Sequence, residues 1–391
     1  MKNYKNILII IVLSQFCCTS LWFASNAVIS QLINTFNLQD NALGHLTSAV
    51  NFGFIIGTLI YAIFNLADRF PPSRVFFISA IFAALFNLVC VLKFNTIFTL
   101  LMYRFLTGFF LAGIYPVGMK IASDYSKAGL GKALGFLVGA LVLGTASPHI
   151  LKEMSNSFSW EIVFVITTIL ALLGGVLMFT LVPNGPYMKT IDKPDFKVFF
   201  TVFKNTKLKK AAFGYFGHMW ELYTFWAFVP VILAFYKTVH KHINFSVPLY
   251  AFIIIALGSL SCILGGYISQ VKGVQYVARF ALKASFVCCI LSPFIFLIPS
   301  VYVFMFFMCL WGMFVIADSP MFSTLVAQSA TLSNKGTAIT IVNCLGFAIS
   351  ILSIQTVTFF KSYISINYVF VILAVGPLVG LVFSKSKKES V

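Results

Sequence analysis

Long apolar runs recur along the chain, separated by short polar intervals. Read for stretches of about 18 or more apolar residues, the length that crosses a bilayer as a helix, the pattern predicts twelve spans. They lie near 6–33, 45–64, 75–93, 97–122, 131–150 and 160–182, then near 211–236, 247–269, 280–298, 301–327, 337–358 and 365–384. Lipid offers backbone donors and acceptors no partner outside the segment itself, so every span is expected to be helical. The longest polar interval falls at 183–210. It divides the chain into an N-terminal six-helix bundle at 1–182, a linker, and a C-terminal six-helix bundle at 211–391.

The two halves echo each other. Phe64-Asn-Leu-Ala-Asp68-Arg69-Phe-Pro71 after one span answers Gly266-Tyr-Ile-Ser-Gln-Val-Lys-Gly273 after another, at an offset of 202. Ile114-Tyr115-Pro116 answers Asp318-Ser319-Pro320 at 204, and Gly131 answers Gly336 at 205. Near-equal offsets mean that one six-span unit was used twice. Such doubling marks carriers whose halves rock around a site at the midplane.

Composition agrees with immersion in lipid: 60% of residues are hydrophobic and 9% charged, more apolar surface than a water-soluble core can hide. A net charge of +17 raises the question of nucleic acid, and its distribution answers it. With both termini placed in the cytoplasm, 21 of the 27 Lys and Arg residues fall on that side, seven of them lysines between Lys189 and Lys210. That is an orientation signal, with additional attraction to anionic headgroups, not a surface for nucleic acid. Lys2 and Lys5 precede an apolar run too long for a signal-peptide core, so a retained first span is expected. Enrichment in Phe, Ile, Lys and Asn points to a bacterial inner membrane. All eight cysteines fall within spans at spacings that fit neither a zinc site nor a disulfide framework, and read as packing residues. No HExxH, GxSxG, P-loop or dinucleotide fingerprint is present. The chain is therefore expected to be no enzyme, to hold no cofactor or metal, and to draw on an ion or solute gradient.

The loop Leu66-Ala67-Asp68-Arg69, with Arg74 beyond it, resembles the signature between helices 2 and 3 of the major facilitator superfamily. Gly273 after Gly265-Gly266 resembles its degraded copy, in which Gln270 takes the acidic position. Arg104 followed by Gly108 resembles the family's helix 4 motif, and Gly131, Gly135, Gly139 and Gly144 its glycine-rich helix 5. The resemblance covers essentially the whole chain. It implies an all-α membrane protein of twelve transmembrane helices in two pseudo-symmetric six-helix bundles, working as a monomer. It also implies that helices 1, 4, 7 and 10 line a central cavity. An Asp at the end of the second span with arginines one and six residues later can pair across to a neighbouring helix end in one state and release it in another. Asp68, Arg69, Arg74 and Gly273 are thus gating candidates, against the plainer reading of a solvated turn.

An ionisable residue within a span costs about 2.5 to 3.5 kcal/mol on insertion scales, so it is expected to face a partner or a cavity. The deep ones are Arg104, His218, Glu221 and Asp318, all on helices that the resemblance puts around the cavity. Glu221, about 16 Å along its span and near the midplane, is the first candidate for proton coupling. Asp318 is the second, and His218, one turn from Glu221, is a relay. The plain alternative is an ion pair of either acid with Arg104. Tyr115, Trp22, Asn26, Trp220 and Trp311 share stripes or neighbourhoods with these charges and, with Arg104, form the expected substrate site. A guanidinium suits a carboxylate, so the reading is uptake of a small anionic or zwitterionic metabolite driven by H+ or Na+. A proton-driven efflux antiporter holding a lipophilic cation on the tryptophans is the alternative, and a sensor that kept a carrier fold is a third reading.

Overall fold

The computed structural model describes residues 3–125, 130–155, 159–187, 202–330 and 335–384. Its helices form twelve passes. In the first half these are α1 (Asn3–Thr19, Ala24–Ala27 and Ile29–Phe36), α2 (Ala42–Ile63), α3 (Pro72–Leu88), α4 (Ile97–Leu111 and Tyr115–Asp124), α5 (Leu130–Met154) and α6 (Glu161–Leu181). In the second half they are α7 (Thr206–Val239), α8 (Val247–Lys272), α9 (Val274–Ile295), α10 (Val301–Ala317 and Ser319–Ser329), α11 (Lys335–Phe360) and α12 (from Ile366 to Phe383). Among the described residues, 11 helices, α2 to α12, are long and apolar enough to cross a membrane. The broken α1 supplies the twelfth pass. An even number of passes returns the chain to its starting side, so Asn3 and Ser384 lie on one face, called here the terminal face.

Local chemistry sets the helix starts and moves two of them from the hydropathy boundaries. Asn205 accepts hydrogen bonds from the backbone N–H groups of Lys207 and Leu208, which starts α7 at Thr206 and carries three lysines on its first turn, ahead of the apolar run expected at 211. Gly273 joins α8 to α9 as a single residue with φ of +86°, a backbone region that glycine enters without steric cost. Hence α9 begins at Val274, before the span expected at 280, because residues 274–279, where Gln275 and Arg279 interrupt the apolar run, are helical as well. Of the linker expected at 183–210, residues 188–201 lie outside the described residues.

Packing repeats the doubling seen in the sequence. In the first half α1 packs on α5 and α6, α2 on α4, and α3 on α4 and α6. In the second half α7 packs on α11 and α12, α8 on α10, and α9 on α10 and α12. The two sets map onto each other helix by helix. The contacts between halves obey the same symmetry, since α5 lies against α8 and α11 against α2. Within the first half, α2 and α4 cross at two glycines: a Cβ on Gly53 would sit 1.9 Å from the Phe105 carbonyl oxygen, and one on Gly108 1.9 Å from that of Val50. Close approach of small residues is what holds helices together where lipid gives no hydrophobic drive.

Candidate functional site

Three passes are interrupted, and the interruptions organise the interior. The breaks in α4, ahead of Tyr115-Pro116, and in α10, at Asp318 ahead of Ser319-Pro320, are copies of one another, each with a proline in the first turn of the helix that follows, where its missing N–H costs nothing. The break in α1 at residues 20–23 has no proline or glycine. Thr19 Oγ1 donates to the Gln15 carbonyl oxygen and Ser20 Oγ to that of Cys17, a back-bonding that bends helices. The carbonyls freed at Leu21 and Trp22 accept from Arg104 Nη2 at 2.8 and 2.7 Å.

Arg104 is fully buried and committed. Besides those two carbonyls, its Nη1 donates to Asn87 Oδ1 at 3.0 Å, and Asn87 Nδ2 in turn donates to Thr167 and Thr168 of α6. The guanidinium thus holds α1, α3 and α4 together inside the first half, and neither Glu221 nor Asp318 pairs with it. Asn26 is likewise engaged within that half, donating to Thr47 Oγ1 at 2.8 Å.

An aromatic layer crosses the middle of the protein between the halves. Trp22 stacks on Phe347 of α11 with centroids 5.8 Å apart and lies 4.9 Å from Phe54 and 5.7 Å from Tyr223 of α7. Trp22 Nε1 donates to Asn51 Oδ1 at 3.1 Å, and Asn51 Nδ2 donates to Ser350 Oγ at 3.1 Å, a hydrogen-bonded relay from α1 through α2 to α11. From this layer outward to the face opposite the termini, the halves are bonded further. Gln355 Nε2 donates to the Gly44 carbonyl and to Ser48, Lys361 Nζ to the Asp40 carbonyl, and Ser246 Oγ to Glu153. Cross-half hydrogen bonds among the described residues lie in this zone, so the protein is closed towards the opposite face.

On the terminal side of the aromatic layer, polar groups gather at the two proline breaks. His218 Nδ1 of α7 lies 2.7 Å from Asp318 Oδ1, with both side chains excluded from solvent. His218 Nε2 is buried without a hydrogen-bond partner. Tyr215, one turn below His218 with ring centroids 5.9 Å apart, donates to Asn343 Oδ1 of α11 at 2.8 Å. Tyr115, at the break of α4, stands near Cys262 of α8 and near Tyr215 and Tyr223. The structure therefore brings together His218, Asp318 and Tyr115, with Trp22 in the layer above them.

It does not bring Glu221 into that group. Glu221 Oε1 accepts from Ser285 Oγ of α9 at 2.5 Å, from Trp311 Nε1 of α10 at 2.6 Å and from Cys289 Sγ at 3.2 Å. These partners place the carboxylate inside the second half, turned towards α9. Trp311 is occupied by it, and Trp220 donates to the Ile372 carbonyl of α12 at 3.1 Å. Sequence reasoning missed Asn87, Asn51, Tyr215 and Ser285. The two asparagines did carry a signal, as isolated amides in otherwise apolar spans, which seek partners on other helices.

At the terminal face, Asp68 pairs with Lys120 Nζ of α4 at 2.9 Å, and Lys120 also reaches Asp124 at 3.6 Å. Both partners of Asp68's ion cluster belong to its own half. Arg69 and Arg74 are exposed.

The pattern of the Major Facilitator Superfamily matches residues 11–354. The chain belongs to this family. An uncharacterised transporter from Buchnera aphidicola subsp. Schizaphis graminum is 24% identical over 212 residues, 53% of this chain and 51% of that protein. The niacin transporter NiaP of Acinetobacter baylyi is 32% identical over 151 residues, 36% of this chain and 32% of that protein. The chain thus spans about half or less of the length of these curated relatives. In fold it is similar to the human organic anion transporter MFSD10 (TM-score 0.77, 12% identity, covering 98% of this chain and 99% of that one). It is also similar to the proton:xylose symporter XylE (TM-score 0.71, 13% identity, covering 98% and 95%).

Proposed function

We propose that this superfamily member is a secondary active transporter that moves a small anionic metabolite together with a proton by alternating access. The terminal face is then cytoplasmic in a bacterial inner membrane, with both chain ends inside, and the halves on either side of the 183–210 linker are the rocking bodies. The observation that carries the reading is the buried His218–Asp318 pair at the α10 break, with one imidazole nitrogen unused. When His218 is protonated the two form an ion pair excluded from water, and adding a third charge there is costly. An incoming carboxylate alone leaves the site with a net negative charge. If a proton arrives on Asp318 at the same time, His218 keeps its positive charge and its free Nε2–H can donate to the substrate. Anion and proton therefore bind best together, which is symport with one proton per carboxylate.

Two features support a carboxylate carried on a flat ring. Tyr115, Tyr215 and the layer of Trp22, Tyr223 and Phe347 offer aromatic faces, on which planar solutes stack favourably. The Acinetobacter relative is named for niacin, an aromatic carboxylate, and the human structural neighbour for organic anions. Glu221, anchored by three donors away from the interface, is not the coupling group in this account, and Arg104 positions α1 instead of holding substrate. Histidine in the pair favours H+ over Na+ as the coupling ion.

Uptake into proteoliposomes decides between the readings. Labelled nicotinate, benzoate, aliphatic carboxylates and a lipophilic cation are offered with and without an inward proton gradient. The proposal expects gradient-driven accumulation of a carboxylate. Gradient-driven movement of the cation in the opposite sense would make the chain an antiporter, and binding without flux would make it a sensor.

A further inference from the structure

The repeated halves diverge at the terminal face, and the divergence leaves a site. In the first half the α2–α3 turn is neutralised locally, with Lys120 between Asp68 at 2.9 Å and Asp124 at 3.6 Å. The offsets of 202 and 204 place Gln270 at the position of Asp68 and Gln328 at that of Asp124, with Thr324 at that of Lys120. Both carboxylates of the cluster are thus replaced by amides in the second copy. Cations of its own take their place. An open notch between the α8–α9 turn and the end of α10 is lined by Lys272, Gln275, Tyr276, Arg279 and Gln328. No lining residue is acidic. Asp192, Asp195 and Glu389 lie outside the described residues.

The groups in the notch are spaced to receive an oxyanion. Lys272 Nζ is parked over the Tyr276 ring, 5.3 Å from its centroid. Arg279 Nη1 makes a long contact of 3.3 Å with the Ser384 carbonyl, a neutral acceptor, and among the described residues no carboxylate pairs with the guanidinium. The first turn of α9 opens beside Gly273, which has no heavy atom within 4 Å of where a Cβ would stand, so a ligand can approach the free N–H groups of that turn. A guanidinium fork, an ammonium and two amides together match the several acceptor oxygens of a phosphate group. Tyr276 and Phe280 are exposed beside the notch and stacked on each other, 6.4 Å apart, the amphipathic ring placement of a membrane interface.

We propose that this notch binds a phosphate group, supplied either by the headgroup of an anionic phospholipid or by free phosphate. The bound anion lies beside Gln328, the counterpart of Asp124, while Gln270, the counterpart of Asp68, stands outside the lining of the notch. The site is separate from the transport chamber and is independent of the substrate reading.

Native mass spectrometry of the purified full-length chain tests it. Protein released from nanodiscs of phosphatidylcholine with phosphatidylglycerol is scored for retained phosphatidylglycerol, and a second sample in neutral detergent is titrated with inorganic phosphate. Each cation near a lipid surface contributes about fivefold in affinity. The Lys272→Gln/Arg279→Gln variant should therefore retain the ligand roughly thirtyfold less well, while Lys93→Gln, a cation on the opposite face, should match the parent. The Gln270→Asp/Gln328→Asp variant, which restores the acidic pattern of the first half, should also exclude the ligand and covers the case in which the first variant fails to fold. Retention of the lipid alone assigns the site to headgroups, and binding of inorganic phosphate alone assigns it to the free anion. Binding of neither, or parental binding by the acidic variant, overturns the proposal.

Discussion

The two halves bury their charges in opposite ways. In the first, Arg104 sits between α1, α3 and α4 with both terminal nitrogens committed to Leu21, Trp22 and Asn87. All its acceptors are neutral and belong to the same bundle, so the charge fixes a shape. In the second, His218 and Asp318 face each other at a helix break with one ring nitrogen unused, so the charge can be redistributed. Depth in the membrane is therefore not enough to make an ionisable residue part of a transport site. What separates the two cases is that both terminal nitrogens of Arg104 have partners that move with it, only Nε lacking one, whereas the imidazole of His218 meets only a carboxylate and keeps Nε2 unpartnered.

The largest effect should come from removing the fixed charge. Arg104→Leu strands two backbone carbonyls and Asn87, at about 1 to 2 kcal/mol per lost bond within a membrane, so roughly 3 to 6 kcal/mol of stability should disappear. A thermal melt in detergent reads this as a sharply lowered midpoint. Arg104→Lys should recover only part, because an ammonium cannot span both carbonyls and Asn87. If Arg104→Leu melts like the parent but fails to transport, the contrast between the halves is wrong and the guanidinium does belong to the site.

Glu221 comes next. Glu221→Leu removes the acceptor shared by Ser285, Trp311 and Cys289 and should cost about 1 to 3 kcal/mol. Glu221→Gln keeps an acceptor oxygen in place and should leave both the melt and the proton-to-substrate ratio near parental values. A lost ratio in Glu221→Gln would return the coupling role to this carboxylate.

How much of this was legible beforehand depends on the kind of signal. The α4 and α10 breaks could be read from Tyr115-Pro116 and Ser319-Pro320, since proline announces itself and the repeat showed it twice. The α1 break could not, because it rests on serine and threonine back-bonding and on an arginine from another helix whose acceptors are backbone carbonyls, which every residue has. Arg104 was recognisable as costly, but nothing in the chain says whether a guanidinium meets solute or backbone. The direction in which Glu221 points was not legible, for a geometric reason. It lies three residues from His218, which places the two about 60° apart around the helix, and that difference decides whether a side chain meets α10 at its break or α9. The pairing of α5 with α8 and α2 with α11 obeys the doubling, but the repeat alone does not say which helices meet, and the Trp22–Asn51–Ser350 relay depends on rotations that hydropathy does not encode.

Smaller effects test the closed zone and the terminal face. Ser350→Ala breaks one buried cross-half bond and should cost about 0.6 kcal/mol, seen as a modest rise in labelling of a cysteine placed at Ser48, which is buried beside Gln355 on the side of the opposite face. Asp68→Asn should change stability by about 0 to 1 kcal/mol, because Lys120 keeps Asp124. An effect from Asp68→Asn as large as that of Arg104→Leu would mean that the terminal ion cluster, and not the α1 junction, holds the first half together.

The most direct test of the central claim is proton flux. Proteoliposomes loaded with a pH dye receive the transported carboxylate from outside, with parent protein, Asp318→Asn and His218→Gln in parallel. The account predicts substrate-dependent acidification of the lumen by the parent. It predicts that Asp318→Asn still exchanges labelled for unlabelled substrate without moving protons, and that His218→Gln loses affinity for the anion. Parental acidification by Asp318→Asn would contradict it, because the pair at the α10 break would then carry no proton.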